Sequence, residues 1–354
     1  MVGAANEATL IPHGGTISRG PASAGTMAEA LMGALETAER PEERPEERLR
    51  VMVAAPRIDL DPDGPSVSVV VPAMNEERNL PWLARRMPAG VAEIILVDGN
   101  STDGTVETAR ALWPDVRVVS QNRRGKGNAL ACGFTVATGD IIVMIDADGS
   151  MDPGEIPYFV DALVRGADFA KGSRFAAGGG SCDITRFRAA GNRVLMALTG
   201  LIHRTSFTDL CYGYNAFWRR ILPAIDLAPG DGPEQRWGDG FEVETLMNIR
   251  VHHAGLKTEE VPSFEGSRLH GASNLRAISD GWRVLSIITR ERRALGKNRP
   301  ERIRRRAPLV EGGMNLVPAH AHELLALPAM HDGQDLYVSP VLTGQPHATA
   351  SSAP

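Results

Sequence analysis

Short apolar runs alternate with segments of helical spacing through the first half of the chain. The runs are rich in valine and isoleucine, which is typical of buried β-strands. The pattern predicts strands over residues 67–71, 93–97, 116–119, 141–145 and 168–171, separated by helices over residues 76–87, 103–112, 126–137 and 153–165. Because continuously apolar strands alternate with helices, we expect an α/β fold with helices on both faces of a mostly parallel sheet.

The two ends of the chain lack this periodicity. Residues 1–64 are rich in glycine, alanine, serine and proline and then highly charged, and residues 296–354 pass from a basic run into a Pro/Ala/Ser-rich tail. Such compositions cannot bury much apolar surface and predict disordered N- and C-terminal extensions. Between them we expect one domain over residues 65–265 and a C-terminal helix region over residues 266–295.

The predicted C-terminal helix, residues 275–293, has apolar side chains at helical spacing with arginines among them. A helix of this kind could pack on the domain, or it could lie on an anionic bilayer. The amphipathic pattern alone does not distinguish the two.

Composition narrows the range of partners and compartments. Lysine and arginine total 38 against 43 acidic residues in 354, a net charge of -5, which excludes a global cationic field for nucleic acid. Three widely separated cysteines indicate a reducing compartment, and no apolar run reaches the roughly 18 residues of a membrane span. We therefore expect a cytoplasmic protein, with the inner face of the cell membrane as an alternative location.

Acidic side chains follow two of the predicted strands, at the edge where open parallel sheets bind ligands. Asp98 ends the second strand, where its carboxylate could accept the ring N–H of a nucleobase or play only a structural role. Asp146 and Asp148 follow the fourth strand and project to the same side of an extended chain. Two such carboxylates suit Mg²⁺ or Mn²⁺ shared with substrate phosphates, although a solvated acidic loop is the alternative.

Basic side chains recur in the segments that could fold over this edge. Each one alone is most simply a solvated surface charge, but together they could hold phosphate groups against a metal. They include Lys126, Arg174, Arg186, Arg188 and Arg268.

Several motifs occur in a fixed order along residues 66–293: VPAMNEE, VDGNSTDGT, RRGKGNALACGFTVATGD, IDADGS, GADFAKGSRF and GYNAF. In this order they resemble the inverting glycosyltransferases of family 2, most closely the dolichyl-phosphate mannosyltransferase and polyprenyl-phosphate glycosyltransferase branch. The resemblance implies a GT-A (Rossmann-like) fold. It also implies transfer of a hexose from a GDP-mannose- or UDP-glucose-type donor to a polyprenyl or dolichyl phosphate.

The resemblance also implies roles for single residues. Pro72, Asn75, Glu76 and Asp98 would surround the nucleoside, and Lys126 and Ala147 would also contact substrate. Asp146 and Asp148 would bind Mg²⁺ or Mn²⁺, with Ser150 where some relatives carry a third ligand. Arg174 and Arg268 would contact donor or acceptor phosphate, with Arg186 and Arg188 as further acceptor contacts. Glu244 matches a late acidic position, and Asp239 and Glu242 lie nearby.

Two departures from the family pattern keep other functions open. Gly99 replaces the second acidic residue of the usual VDDGS, and the membrane spans that many members carry are missing. One alternative is a soluble family 2 enzyme acting on a hydroxyl of a small natural product or glycan precursor, which would need a general base. Another is a non-catalytic nucleotide-binding subunit of a membrane complex. A membrane subunit or a second copy of the chain is a further expected partner, and nucleic acid is not.

Overall fold

The computed structural model describes residues 58–227, 237–271, 277–295 and 337–338. A seven-stranded sheet forms its centre, in the order β3-β2-β1-β4-β7-β5-β8. Its strands are β1 (Val67–Ala73), β2 (Glu93–Asp98), β3 (Arg117–Ser120), β4 (Ile141–Met144), β5 (Phe169–Ser173), β7 (Asn215–Trp218) and β8 (Thr258–Pro262). A small second sheet pairs β6 (Gly180–Ser181) with β9 (Phe264–Glu265) and β10 (Tyr337–Val338).

Helices pack around the main sheet, as the alternation of apolar and helical segments predicts. In chain order they are α1 (Leu80–Arg86), α2 (Thr105–Leu112), α3 (Lys126–Val136), α4 (Ile156–Val164), α5 (Arg186–His203), α6 (Leu222–Ile225), α7 (Val243–His253) and α8 (Ala277–Leu295). All four residues of β4 are buried, which explains why this strand is apolar throughout. The predicted α/β architecture is confirmed.

Strand direction departs from a fully parallel sheet at one position. β7 runs antiparallel to both β4 and β5, whereas the other neighbouring pairs are parallel. The ends of β1, β2 and β4 therefore lie at one edge of the sheet, where the start of β7 meets them. This edge is the one that the sequence predicts to bind ligand.

Two apolar clusters stabilise the structure. The larger surrounds the main sheet, and the smaller joins α5, α7 and α8 through residues such as Leu210, Leu246, Val284 and Ile287. The apolar stripe of the C-terminal helix is thus packed on the domain, although Trp282 on the same helix is 66% exposed. None of the helices in the described ranges is long and apolar enough to cross a membrane.

The extent of the folded domain remains a prediction at both ends. Residues 58–64 belong to the predicted leader, yet Leu60 is buried in the main core and its N–H donates to the Ala89 carbonyl. Residues 1–57 and most of the predicted tail, 296–336 and 339–354, lie outside the described residues.

Candidate active site

The loop after β1 is joined to the loop after β2 by side-chain hydrogen bonds. Asn75 adopts a left-handed backbone (φ 60°), and its Oδ1 accepts a hydrogen bond from the Thr102 N–H at 2.7 Å. The Glu76 N–H donates to Thr105 Oγ1, and Asp98 accepts from the Ser101 N–H. Residues 75 and 76 therefore form hydrogen bonds with the loop after β2 instead of joining the helix. As a result, α1 begins at Leu80 rather than at the predicted residue 76.

The loop after β4 carries Asp146 and Asp148 and is covered by the segment that follows β9. The Leu269 N–H donates to the Asp148 carbonyl, and the Gly266 N–H donates to the Ser150 carbonyl at 2.8 Å. Gly149 has φ +79°, and a Cβ there would lie 2.5 Å from the Leu269 side chain. A glycine is therefore required for this close packing.

Asp146 is ion-paired with Lys126, the first residue of α3. The Lys126 Nζ lies 2.6 Å from Asp146 Oδ1 and 2.9 Å from Glu244 Oε1, so one ammonium joins two carboxylates. Burial alone would lower the pKa of Lys126, but the charges of Asp146 and Glu244 outweigh it and raise that pKa. Burial raises the pKa of the Glu244 carboxyl, although Lys126 opposes the shift. Gly213 precedes β7 beside this group, where a Cβ would meet the Lys126 Nζ at 2.5 Å.

Asp148 is ion-paired with Arg268, which reaches it from the segment after β9. Arg268 Nη1 lies 3.2 Å from Asp148 Oδ2, and Arg268 Nη2 donates to Glu76 Oε1. One guanidinium therefore connects the loop after β1 with the loop after β4. Burial raises the pKa of Glu76, against the opposing effects of its hydrogen bond from Asn79 and of Arg268.

The two predicted metal ligands, Asp146 and Asp148, can be tested against the needs of a divalent ion. Mg²⁺ is usually held by one or two carboxylates and completes its shell with water and substrate phosphates. The described residues contain no group of three or more histidine, cysteine or acidic side chains that could hold a metal, so this part of the chain itself offers only these two carboxylates. Ser150 Oγ donates to Asp148 Oδ1 at 2.7 Å, so it orients this carboxylate. The donor set fits a metal shared with a diphosphate.

Arg174 lies in a buried ion-pair network beside this edge. Its Nε and Nη2 form a forked pair with Asp209 at 2.7 and 3.0 Å, and its Nη1 lies 3.0 Å from Glu265 Oε2. Arg174 is 5% exposed and Asp209 is fully buried. Two carboxylates already hold the guanidinium of Arg174. Its contact with a phosphate stays a prediction. Sequence patterns did not single out Asp209 or Glu265.

Arg186 and Arg188 lie in the first turn of α5, which Thr185 caps by accepting the Arg188 N–H. Arg186 is exposed, and Arg188 is paired with Asp183 at 3.0 Å. The outer face of α5 also exposes Val194 and Leu201, the latter at 81%. This face combines positive charge with apolar surface.

The three carboxylates considered as a general base are placed differently. Asp239 forms a buried forked pair with Arg123, at 2.7 and 2.8 Å, and Glu244 is paired with Lys126. Glu242 is buried, and its Oε2 lies 4.0 Å from Arg283 Nη1. Asp239 and Glu244 are thus held by a cation at short range.

A histidine pair joins the ends of α5 and α7 to α8. His203 Nε2 lies 2.8 Å from the Ile288 carbonyl oxygen and must donate to it, so its Nδ1 accepts from Nε2 of His253 at 2.8 Å. Burial is the main cause that lowers the pKa of both rings. The charges of His203, His252 and Arg292 add to this effect at His253, whose pKa falls to about 4.

Stability should therefore fall as the pH drops from about 6.5 towards about 4. A histidine in the unfolded chain titrates near 6.5, so in this window the unfolded state binds protons that the folded pair does not. We expect the melting temperature of the His253→Gln variant to depend less on pH between 7.5 and 5 than that of the wild type. The exposed His270→Gln variant is the control, and equal pH dependence in all three proteins would contradict the prediction.

Comparison with known proteins agrees with this architecture. The mostly parallel sheet flanked by helices is a GT-A-like fold, and the family model described as glycosyl transferase family 2 matches residues 68–225. The chain is 42% identical over 231 residues to an uncharacterized glycosyltransferase of Mycobacterium tuberculosis, covering 63% of this chain and 99% of that protein. This chain belongs to glycosyltransferase family 2, as the resemblance implies.

Two further similarities bear on fold and branch. An undecaprenyl-phosphate mannosyltransferase of Micrococcus luteus is 33% identical over 234 residues, covering 62% of this chain and 92% of that protein. The crystal structure of glucosyl-3-phosphoglycerate synthase from Mycobacterium tuberculosis, in complex with Mn²⁺, UDP-glucose and phosphoglyceric acid, aligns with a TM-score of 0.50 at 23% identity. That alignment covers 72% of this chain and 86% of the synthase, and it shows a shared fold.

Proposed function

We propose that this enzyme moves a hexose from a nucleoside-diphosphate sugar, of the GDP-mannose or UDP-glucose type, to a polyprenyl phosphate, with inversion at the anomeric carbon. The observation that carries the proposal is the meeting of Asp146, Asp148, Lys126 and Arg268 at the ligand edge of the sheet. The Micrococcus luteus relative is named for mannosyl transfer to undecaprenyl phosphate, which supports the acceptor.

The donor would lie across the loops after β1, β2 and β4. Pro72, Asn75, Glu76 and Asp98 would surround the nucleoside, with Ala147 beside the diphosphate. Mg²⁺ or Mn²⁺ held by Asp146 and Asp148 would neutralise charge on the departing diphosphate. Lys126 and Arg268 would bind phosphate oxygens from either side and stabilise the negative charge that develops as the sugar leaves.

A phosphate acceptor agrees with the ion pairing of the nearby carboxylates. A phosphate monoester has a second pKa near 6 and is largely ionised at neutral pH, so its attack needs no strong general base. Asp239 and Glu244 are each ion-paired with a cation at short range, which limits their use as a base. A hydroxyl acceptor, the second candidate, would need one of Asp239, Glu242 or Glu244 free to remove a proton.

The direct test uses liposomes and a panel of radiolabelled GDP- and UDP-sugars. Purified protein is mixed with each donor and with liposomes that contain polyprenyl phosphate, polyprenol without phosphate, or neither. We expect label in the lipid phase only with one donor class and only with the phosphate. Label that appears solely on water-soluble hydroxyl acceptors would favour the second candidate.

The outer face of α5 supports contact with a lipid surface. Arg186 and Arg193 on this helix, and Arg204 directly after it, are exposed together with Val194 and Leu201. Exposed arginines beside apolar side chains suit the interface of an anionic bilayer. The helix begins at Arg186 and Arg188, the predicted acceptor contacts, so the same element would bring a lipid phosphate to the site.

Leu201→Asp should lower transfer to liposome-borne acceptor by about fivefold to thirtyfold, because burying this side chain at the interface would contribute roughly 1–2 kcal/mol. Transfer to a short, water-soluble polyprenyl phosphate should be unchanged. Ala111→Asp, at an exposed position of α2, is the matched control. If Leu201→Asp transfers sugar to both acceptors at the wild-type rate, this face of α5 does not contact the membrane.

A further inference from the structure

Both carboxylates of the predicted metal site are paired with cations of the chain itself. Lys126 Nζ lies 2.6 and 2.8 Å from the two carboxylate oxygens of Asp146. Arg268 Nη1 lies 3.2 Å from Asp148 Oδ2, and the other oxygen of Asp148 accepts from Ser150. Each carboxylate of the predicted metal site therefore has a positive partner within the chain.

Arg268 is held in this position from three directions. Its Nε donates to the His270 carbonyl at 2.8 Å, Nη1 pairs with Asp148 and Nη2 pairs with Glu76. The segment that carries it is fixed by the backbone hydrogen bonds of Gly266 and Leu269 to the loop after β4. The side chain of Arg268 is 20% exposed, so its ion pairs are screened less than those at an open surface.

We infer that Arg268 competes with the divalent cation for Asp148, so that the metal binds weakly until a nucleoside diphosphate draws Arg268 away. This inference rests on the proposed function, because it assumes that Asp146 and Asp148 are the metal ligands. A diphosphate offers oxygens that match the forked guanidinium, so Arg268 exchanges a carboxylate for a phosphate when the donor enters. Asp148 is then free to bind the metal.

The exchange couples the two ligands. A nucleoside diphosphate that removes Arg268 from Asp148 raises the affinity for metal, and by linkage the metal raises the affinity for the nucleotide by the same factor. Lys126 acts less freely, because the buried Glu244 also holds it and its side chain is 11% exposed, against 20% for Arg268. Arg268 is therefore the exchangeable cation of the pair.

The test measures Mn²⁺ binding by electron paramagnetic resonance of the free ion, with no turnover. Wild type, Arg268→Gln and the control Arg165→Gln are titrated with Mn²⁺ alone and with Mn²⁺ plus GDP or UDP. Arg165 forms ion pairs with Asp161 and Glu259, away from the metal site, so its variant removes a similar pair without touching the metal ligands.

Arg268→Gln should bind Mn²⁺ alone about fivefold to tenfold more tightly than wild type, since it removes a competing, partly buried ion pair. The same variant should gain less than wild type when nucleotide is added, because its phosphate contact is gone. Tighter Mn²⁺ binding without nucleotide, together with a smaller gain when nucleotide is added, distinguishes competition from general damage to the site, which would weaken Mn²⁺ binding in both conditions. Arg165→Gln should match wild type in both.

Two outcomes overturn different statements. If Arg268→Gln binds Mn²⁺ alone no more tightly than wild type, while nucleotide still promotes Mn²⁺ binding to wild type, the competition is absent and the proposed function stands. If wild type binds no Mn²⁺ with either nucleotide, both the metal-dependent function and this inference fail. Should Arg268→Gln not fold, Arg268→Lys is used. It keeps a charge but cannot bridge Asp148 and Glu76 at once, so we expect a smaller change of the same sign.

Discussion

Replacing Asp148 with asparagine is expected to lower sugar transfer by about a hundredfold or more. The variant keeps the size of the side chain but loses the anionic charge that a hard metal ion requires. Transfer is measured with Mg²⁺, with Mn²⁺ and with EDTA, and melting curves should show that the variant remains folded. The matched control is Asp161→Asn on α4, which removes a carboxylate charge that is paired with Arg165. This variant should keep most activity.

The metal assignment has a clear failing result. Transfer that persists in EDTA, and that also survives both Asp146→Asn and Asp148→Asn, would mean that these carboxylates do not hold a catalytic metal. Loss of activity in Asp146→Asn alone would be less informative, because that change also removes one of the two carboxylates paired with Lys126.

The second large effect is expected on stability. Arg174→Met should destabilise the fold by about 3–5 kcal/mol, because it leaves the buried charges of Asp209 and Glu265 without their partner. Unfolding is followed in urea, where the midpoint should fall at an unchanged slope.

A double variant separates the two possible roles of Arg174. Arg174→Met with Asp209→Asn should lose less stability than the sum of the single changes, because the second substitution removes the uncompensated charge. If Arg174→Met is instead as stable as the wild type and fails only in transfer, phosphate contact is the better account of this arginine.

Local sequence patterns were sufficient to predict most of the sheet. The runs predicted at residues 67–71 and 141–145 correspond to β1 (Val67–Ala73) and β4 (Ile141–Met144), because a strand buried on both faces is composed mainly of apolar residues. Helix starts were less accurate. The predicted helix at residues 153–165 begins as a 3₁₀ turn at Pro153–Glu155, capped by Asp152, and becomes α-helical at Ile156.

Features that depend on distant segments were not predictable in the same way. The motif GYNAF was recognised, but its residues 215–217 begin the antiparallel strand β7, whose direction is set by the long excursion through α5. The ion pairs of the site join residues far apart in sequence: Arg123 with Asp239 is 116 residues apart, and Arg268 with Glu76 is 192. No local pattern specifies which carboxylate a given arginine will meet.

The sequence therefore identified the candidate residues better than it identified their ion-pair partners. Asp146, Asp148, Lys126 and Arg268 meet at one edge, as expected of side chains that follow parallel strands or fold over them. Their pairing with one another depends on burial and on the loops that cover them. Arg174 is a second example. The family resemblance of its motif implied a contact with phosphate, whereas in the fold its guanidinium pairs with Asp209 and Glu265.

The helix α7 belongs to both apolar clusters, with Val243, Met247 and Val251 in the larger and Leu246 and Ile249 in the smaller. Separate clusters of unequal size allow part of a protein to open while the rest stays closed. The amides of α5 and α8, which rest on the small cluster, should exchange with deuterium by local opening. Those of α7 should be protected to the level of the central strands, so the element that carries Glu244 keeps its place while the outer helices open and close.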